Sequence, residues 1–135
     1  MNTKKLFIGG IVGGIVYFLL GWLIYGKLLM SYFMEHHGLA TDADRAQPIF
    51  RYLAIGNLLM GFLLSYIFVK GKVSSLGGGF VTGGIVGLLM GSSTDAIVYA
   101  TSTVMSKSGI LADVIAFTVM SAIVGAIIGA VSSKD

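Results

Sequence analysis

The sequence predicts an all-α integral membrane protein, a four-helix bundle with glycine-rich, closely packed transmembrane helices. Of its 135 residues, 56% are apolar and 11% are charged, whereas an ordinary soluble domain has about half apolar and about a quarter charged residues. Long apolar segments follow one another with only short polar breaks, and glycine recurs every fourth residue within them. The charged side chains are too few to cover a water-facing surface, so a lipid bilayer is the expected surrounding.

Four segments are long enough to cross a membrane. Crossing about 30 Å of hydrocarbon takes roughly 20 apolar residues in a helix. The first segment follows Lys4 and Lys5, as in a signal peptide, but its apolar stretch is longer than that of a signal peptide and lacks a small-residue cleavage site. We therefore expect one transmembrane domain over 1–135, with spans at 6–26, 50–69, 77–102 and 110–131.

The connections between the spans differ in length. The outer loop, 27–49, is the only long one, and its first part, KLLMSYFMEHHG, either extends the first helix or lies along the membrane surface. The later connections are tight, so we expect spans two and three, and spans three and four, to be antiparallel neighbours. An even number of spans puts both termini on one side, and the lysines near 4–5, 70–72 and 134 predict that this side is cytoplasmic.

The third span carries the longest row of small residues. Gly79, Gly83, Gly87 and Gly91 recur every fourth residue, and Asp95 continues the row. Helices in lipid gain little from hydrophobic association, so they pack through van der Waals contact, and small residues at this spacing let two backbones approach. The row therefore predicts a close contact between helices.

The fourth span carries two such rows, one through Gly125 and Gly129 and the other through Ala122, Ala126 and Ala130. A bundle of this size hardly needs packing surfaces on two sides of its last helix. We therefore expect a homo-oligomer or an association with other membrane proteins.

Five polar residues can meet in the outer half of the bundle: Arg51, Asn57, Asp95, Tyr99 and Asp113. A carboxylate in a span costs roughly 2.5 kcal/mol or more and so needs a partner, a wet cavity or a proton. One interpretation is a site that holds a cation or carries a proton. The other is a structural lock in which Arg51 pairs with Asp95 or Asp113. The lock is favoured because charges near the end of a span also reach interfacial water.

Other chemistry has weaker support. His36 and His37 follow Glu35, but adjacent histidines point to different faces of a helix and the chain has no other histidine, so we expect no metal site and no cofactor. Catalytic motifs are absent, which predicts no enzyme, and the scattered basic residues predict no nucleic-acid binding. The aromatic residues of the first span fit the interface belt of the membrane better than a ligand cage; they are Tyr17, Phe18, Trp22 and Tyr25.

The stretch LGWLIYGKLLMSYFMEHHGL resembles a bacterial family of small four-span membrane proteins of unknown function. That family has a glycine, an aromatic pair containing tyrosine, a small residue and an apolar turn leading out of its first span. Ile24 stands where a tryptophan is usual, and Lys27 where a proline is usual. The resemblance covers the layout of most of the chain and implies a four-span protein of the bacterial inner membrane. The residues that fit the pattern are Gly21, Tyr25, Gly26, Leu28 and Leu29.

Two functions follow as hypotheses. The rows of small residues and the short loops favour an accessory component of a membrane assembly or a self-associating bundle. Asp95, Asp113 and Asn57 favour the alternative, a small oligomeric channel or transporter for a cation, a proton or a small solute. In both cases we expect the bacterial cytoplasmic (inner) membrane, with lipid and membrane proteins as partners.

Overall fold

The computed structural model describes residues 2–36 and 49–133, and this part of the chain is helical apart from short connections. Its four long helices have the length and apolar character needed to cross a membrane. The predicted all-helical fold with four such helices is therefore confirmed. The helices are α1 (Thr3–Leu23), which continues as a π-helical segment (Ile24–Leu28), then α2 (Met30–Glu35), α3 (Phe50–Gly71), α4 (Leu76–Thr101) and α5 (Lys107–Ser132).

Side chains that cap free backbone groups mark where three of these helices begin. Asn2, Ser75 and Ser106 each accept a hydrogen bond from the backbone N–H three residues further on, at the first turn of α1, α4 and α5. Such caps satisfy amide groups that have no partner within the helix. The short connections of the chain therefore start and stop the helices at defined residues.

The first span leads into the short helix α2 through an irregular turn. The backbone N–H of Leu29 donates to the carbonyl of Ile24 at 2.7 Å, a bond across five residues that widens the helix. Leu29 then leaves the helical conformation, and α2 begins at Met30. The start of the predicted outer loop is thus helical, while His37 and the rest of the loop up to residue 48 lie outside the described residues.

The helices pack in the spatial order α3, α1, α5, α4. The most extensive contact joins α4 to α5, the next joins α1 to α3, and α5 also packs against α1. The expected pairing of spans three and four is confirmed. That of spans two and three is wrong, because α3 and α4 touch only slightly. A tight connection ties two helix ends together, but the faces that let backbones approach decide which helices lie side by side.

Glycine lines both major contacts. In the α4 and α5 pair, a Cβ added to Gly125 would lie 2.9 Å from the Cα of Gly83, and one added to Gly129 would lie 3.2 Å from the Cα of Gly79. In the α1 and α3 pair, a Cβ on Gly61 would lie 2.7 Å from the Cα of Gly14. Real Cβ atoms essentially never come within 3.0 Å of another backbone, and 3.2 Å is tighter than nine in ten real contacts. Larger side chains at these positions would push the helices apart.

The central helix α5 uses both of its rows of small residues, at least in part, within the chain. Gly125 and Gly129 face α4, and the Cβ of Ala122 lies 3.5 Å from where a Cβ on Gly84 would stand. On its other side, Val124 and Ile128 are buried in the apolar core that α5 shares with α1 and α3. The surplus of packing surface that suggested self-association is therefore smaller than the sequence implies.

Candidate carboxyl site

Two carboxyl groups lie at the same level near one end of the α4 and α5 pair. Asp95 lies about two turns before α4 ends at Thr101, and Asp113 about two turns after α5 begins at Lys107. The connection 102–106 joins these two helix ends, so both residues are about 9 Å from it along their helices. This end of the helix pair, where α2 also lies, is called the α2 end below.

The glycine row of α4 directs Asp95 toward α5. Asp95 follows Gly91 at the same four-residue spacing, so it lies on the face of α4 that packs against α5. Its side chain is only 6% exposed, and the carboxyl group of Asp113 lies beside it. The Asp95 Oδ2 atom is buried and has no hydrogen-bond partner among the described residues. An acidic oxygen in this position is ready to accept a hydrogen bond or to bind a positive charge.

Tyr25 holds the second carboxyl group. It lies in the π-helical segment, and its hydroxyl donates to Oδ1 of Asp113 at 2.6 Å. π-helical turns are rare and occur often at functional sites. The sequence placed Tyr25 in the interface belt of the membrane, whereas the structure turns it inward onto α5.

A pocket opens beside Asp113 at the α2 end. It has a volume of about 220 Å³, and Tyr25, Phe33 and His36 contribute to its wall. The hydroxyl of Ser106 donates to the carbonyl oxygen of His36, which ties α2 to the start of α5. The pocket therefore lies between α2, the π-helical segment and the connection that leads into α5.

Three of the five predicted cluster residues point elsewhere. The guanidinium of Arg51 is exposed and lies 5.2 Å from the ring centre of Tyr52 rather than on Asp95 or Asp113, so the predicted lock does not form. The Asn57 amide donates to the carbonyl of Leu53 in its own helix at 2.8 Å. Tyr99 is 42% exposed. The structure thus brings together Asp95 and Asp113 and adds Tyr25.

The histidine next to α2 has partners of its own. The ring of His36 stacks on that of Tyr32 at 4.0 Å between centres, and its Nδ1 lies 2.9 Å from the Tyr32 carbonyl oxygen. Within residues 2–36 and 49–133, no group of three histidine, cysteine or acidic side chains has the geometry to hold a metal ion. His37, the other weak candidate, lies outside these ranges.

A second tyrosine contact also escaped the sequence interpretation. Tyr17 is 2% exposed, and its hydroxyl donates to Oγ of Ser121 at 2.7 Å between α1 and α5. The sequence does contain a signal for both tyrosines, because Tyr17, Gly21 and Tyr25 continue at four-residue spacing the row of the buried Gly9 and Gly13. That spacing puts them on the inward face of α1.

Comparison with protein-family models, curated proteins and solved structures finds no match for this chain. The resemblance to a bacterial four-span family stays a prediction.

Proposed function

We propose that this small multi-pass membrane protein binds a cation or a proton at Asp95 and Asp113, as part of a small channel or transporter. One observation carries the proposal: Asp95 is 6% exposed, lies beside a second carboxyl group, and has a buried oxygen with no hydrogen-bond partner among the described residues. A carboxylate in a span costs roughly 2.5 to 3.5 kcal/mol on insertion scales. Such residues are found where they pair with another group or serve an ion pathway.

The surroundings of the two carboxyl groups support a binding role over a structural lock. A lock needs a positive partner, and Arg51 lies over Tyr52 instead. The Tyr25 hydroxyl donates to the Asp113 carboxyl group, and the Asp95 carboxyl group lies within hydrogen-bonding reach of the same group. One carboxyl group is therefore oriented by a neutral donor, while the other keeps an oxygen free for a ligand.

Ion flux into liposomes tests this function. The purified protein would be reconstituted into liposomes loaded with dyes that report pH, K⁺ or Na⁺, and gradients of protons, K⁺, Na⁺ and radiolabelled choline, a small organic cation, would be imposed in turn. We expect the wild-type protein to dissipate at least one gradient and Asp95→Asn to slow that flux by about tenfold or more, because the amide cannot carry the charge that holds the ion.

Glu35→Gln is the matched control. Glu35 is an exposed carboxylate at the end of α2, so its loss should leave the flux unchanged. Each variant would first be shown to elute as one species in detergent. The proposal fails if no gradient is dissipated by the wild-type protein, or if Asp95→Asn conducts as the wild type does.

A role as an accessory or self-associating component remains the second candidate, and one feature favours it. A groove of about 220 Å³ between α1 and α3 is lined only by apolar residues and glycine, including Gly14, Phe18 and Leu58. A second copy of the chain, or another membrane helix, would fill such a concave apolar surface. Extraction into lipid nanoparticles followed by mass measurement tests this candidate, since a particle containing one chain and no other protein would refute it.

We also propose that the protein lies in a bacterial cytoplasmic membrane with both termini on the cytoplasmic side. The lysines at 4–5 and 70–72 support this orientation through the positive-inside rule. The α2 end and its carboxyl groups would then face outward. The chain has no cysteine, so single cysteines at Asn2 and at Ser74 can be labelled in intact cells; labelling of either by an impermeant reagent would contradict the orientation.

A further inference from the structure

The pocket at the α2 end has an unusual combination of walls. Aromatic rings of Tyr25, Phe33 and His36 and the apolar side chains of Val104 and Met105 surround it, and Asp113 is the acidic residue that lines it. Its volume of about 220 Å³ is far above the roughly 15 Å³ that a single water molecule needs. The pocket has room for a small organic molecule.

The rings are held in place by contacts on both sides of the pocket. Tyr25 and Phe33 stack with their centres 5.5 Å apart and an angle of 28° between their planes. Tyr32 reaches across to α5, where its hydroxyl lies 3.4 Å from the carbonyl oxygen of Ser108. Because α2 is tied to α5 in this way, the aromatic wall keeps its position relative to Asp113.

The wall suits an organic cation better than a bare metal ion. Ca²⁺ and Mg²⁺ need about six or more oxygen ligands. The pocket offers the Asp113 carboxylate and the Tyr25 hydroxyl, and most of its other side chains are aromatic or apolar. An ammonium group that carries methyl or methylene groups needs fewer oxygens, because its positive charge is attracted to ring faces as well as to a carboxylate.

We propose that the ligand is a small organic cation, an ammonium compound whose charged group lies against Asp113 while its carbon atoms contact the rings of Tyr25 and Phe33. This inference rests on the proposed function, which it deepens by naming the class of cation. The neighbouring Asp95 carboxyl group lies against Asp113, so the ligand's charged group meets a pair of acidic side chains.

Equilibrium dialysis of radiolabelled choline against the full chain in lipid nanodiscs tests the inference. We expect saturable binding of one choline per chain. Asp113→Asn should abolish this binding. Phe33→Leu, which removes a ring face but keeps an apolar side chain of comparable size, should weaken it by roughly 3- to 30-fold.

Two controls separate specific binding from adsorption to lipid. The alcohol 3,3-dimethylbutanol has the shape of choline without its charge, so it should not compete with it. Glu35→Gln removes an exposed carboxylate that lies on α2 and should bind choline as the wild type does. Competition by the neutral alcohol, or equal binding by Asp113→Asn, would overturn the inference.

The flux experiment distinguishes failure of this inference from failure of the proposed function. If choline does not bind while a flux that depends on Asp95 persists, the ligand is not an organic ammonium compound and the proposed function stands. If neither choline binding nor flux is found, both proposals fall.

Discussion

The two ends of the α4 and α5 pair differ in what lies between the helices. Away from the connection 102–106, backbone meets backbone, and a Cβ on Gly83 would lie only 3.0 Å from the Cα of Gly125. Nearer the connection the contacts pass to side chains, since a Cβ on Gly91 would meet the ring of Phe117 at 3.2 Å. One turn further, Asp95 and Asp113 lie side by side.

One face of α4 therefore packs backbone against backbone along part of its length and presents a carboxyl group to α5 along the rest. Where the backbones touch, no side chain fits between them and the contact is entirely van der Waals packing. Where side chains separate the helices, the same face presents a carboxyl group. The glycine row fixes the rotation of α4 about its axis, and this rotation directs Asp95 at α5. Packing at one end thus positions the site at the other.

The largest effect should come from filling the backbone contact. Gly83→Ala places a methyl group against the backbone of Ser121 and Gly125, and we expect it to lower the free energy of unfolding by about 1 to 3 kcal/mol. Gly84→Ala is the matched control, since its new methyl would meet only the Cβ of Ala122 at an ordinary 3.5 Å. Unfolding in SDS, followed by circular dichroism, measures both. Equal stability of the two variants would show that the close contact does not hold the helices together.

At the other end of the helix pair, where the two carboxyl groups lie, we expect a substitution to raise the stability instead of lowering it. Asp95→Asn removes a buried acidic group from beside a second carboxyl group and supplies an amide that can donate to Asp113, so we expect the free energy of unfolding to rise by about 1 to 2 kcal/mol. The same SDS titration measures it. A loss of stability would instead mean that Asp95 holds the fold together and has a structural role. A gain in stability together with a loss of flux would mark a residue kept for function.

The length and apolar character of the spans were enough to predict the four long helices, because these properties are local. The sequence also indicates that Asp95 and Asp113 lie at a similar height along the bundle, since both are close to the connection 102–106. The position of α3 was not, because connection length does not reveal which faces pack. The sequence therefore predicts Arg51 and Asn57 near Asp95, whereas in the structure α3 packs on α1 and barely reaches α4.

The inward tyrosines were missed for a related reason. Aromatic residues near a span end usually mark the membrane interface, and this rule predicts an interface position for Tyr17 and Tyr25. Their four-residue spacing from Gly21 places both tyrosines on one face of α1. Whether that face points inward depends on how the helix is rotated about its axis. Rotation is fixed by packing against other helices, which a single sequence shows only through its rows of small residues.

Tyr17→Phe tests the middle of the α4 and α5 pair, where backbone contacts between the two helices are replaced by side-chain contacts. The Tyr17 hydroxyl donates to Ser121, and the side chain of Ser121 also faces Gly87, where an added Cβ would lie 2.5 Å from the serine Cβ. Losing this buried hydrogen bond should cost about 1 kcal/mol, because the Ser121 hydroxyl loses its donor. The flux should remain, since Tyr17 does not touch the carboxyl groups. A loss of flux at unchanged stability would place Tyr17 in the ion pathway instead.

The smallest effect is expected at Gly91, where the contact has already passed to side chains. A methyl group there would approach the Phe117 ring at 3.2 Å, and a ring edge can shift by a few tenths of an ångström where a backbone cannot. Alanine also loses less backbone freedom than glycine in a helix, which offsets the crowding by roughly 0.5 to 1 kcal/mol. Gly91→Ala should therefore change the free energy of unfolding by less than about 1 kcal/mol, in contrast to Gly83→Ala two turns away. If Gly91→Ala proved as damaging as Gly83→Ala in the same SDS titration, the two ends of the pair would be equally tight. The carboxyl groups would then lie in a closed contact with no room for a ligand.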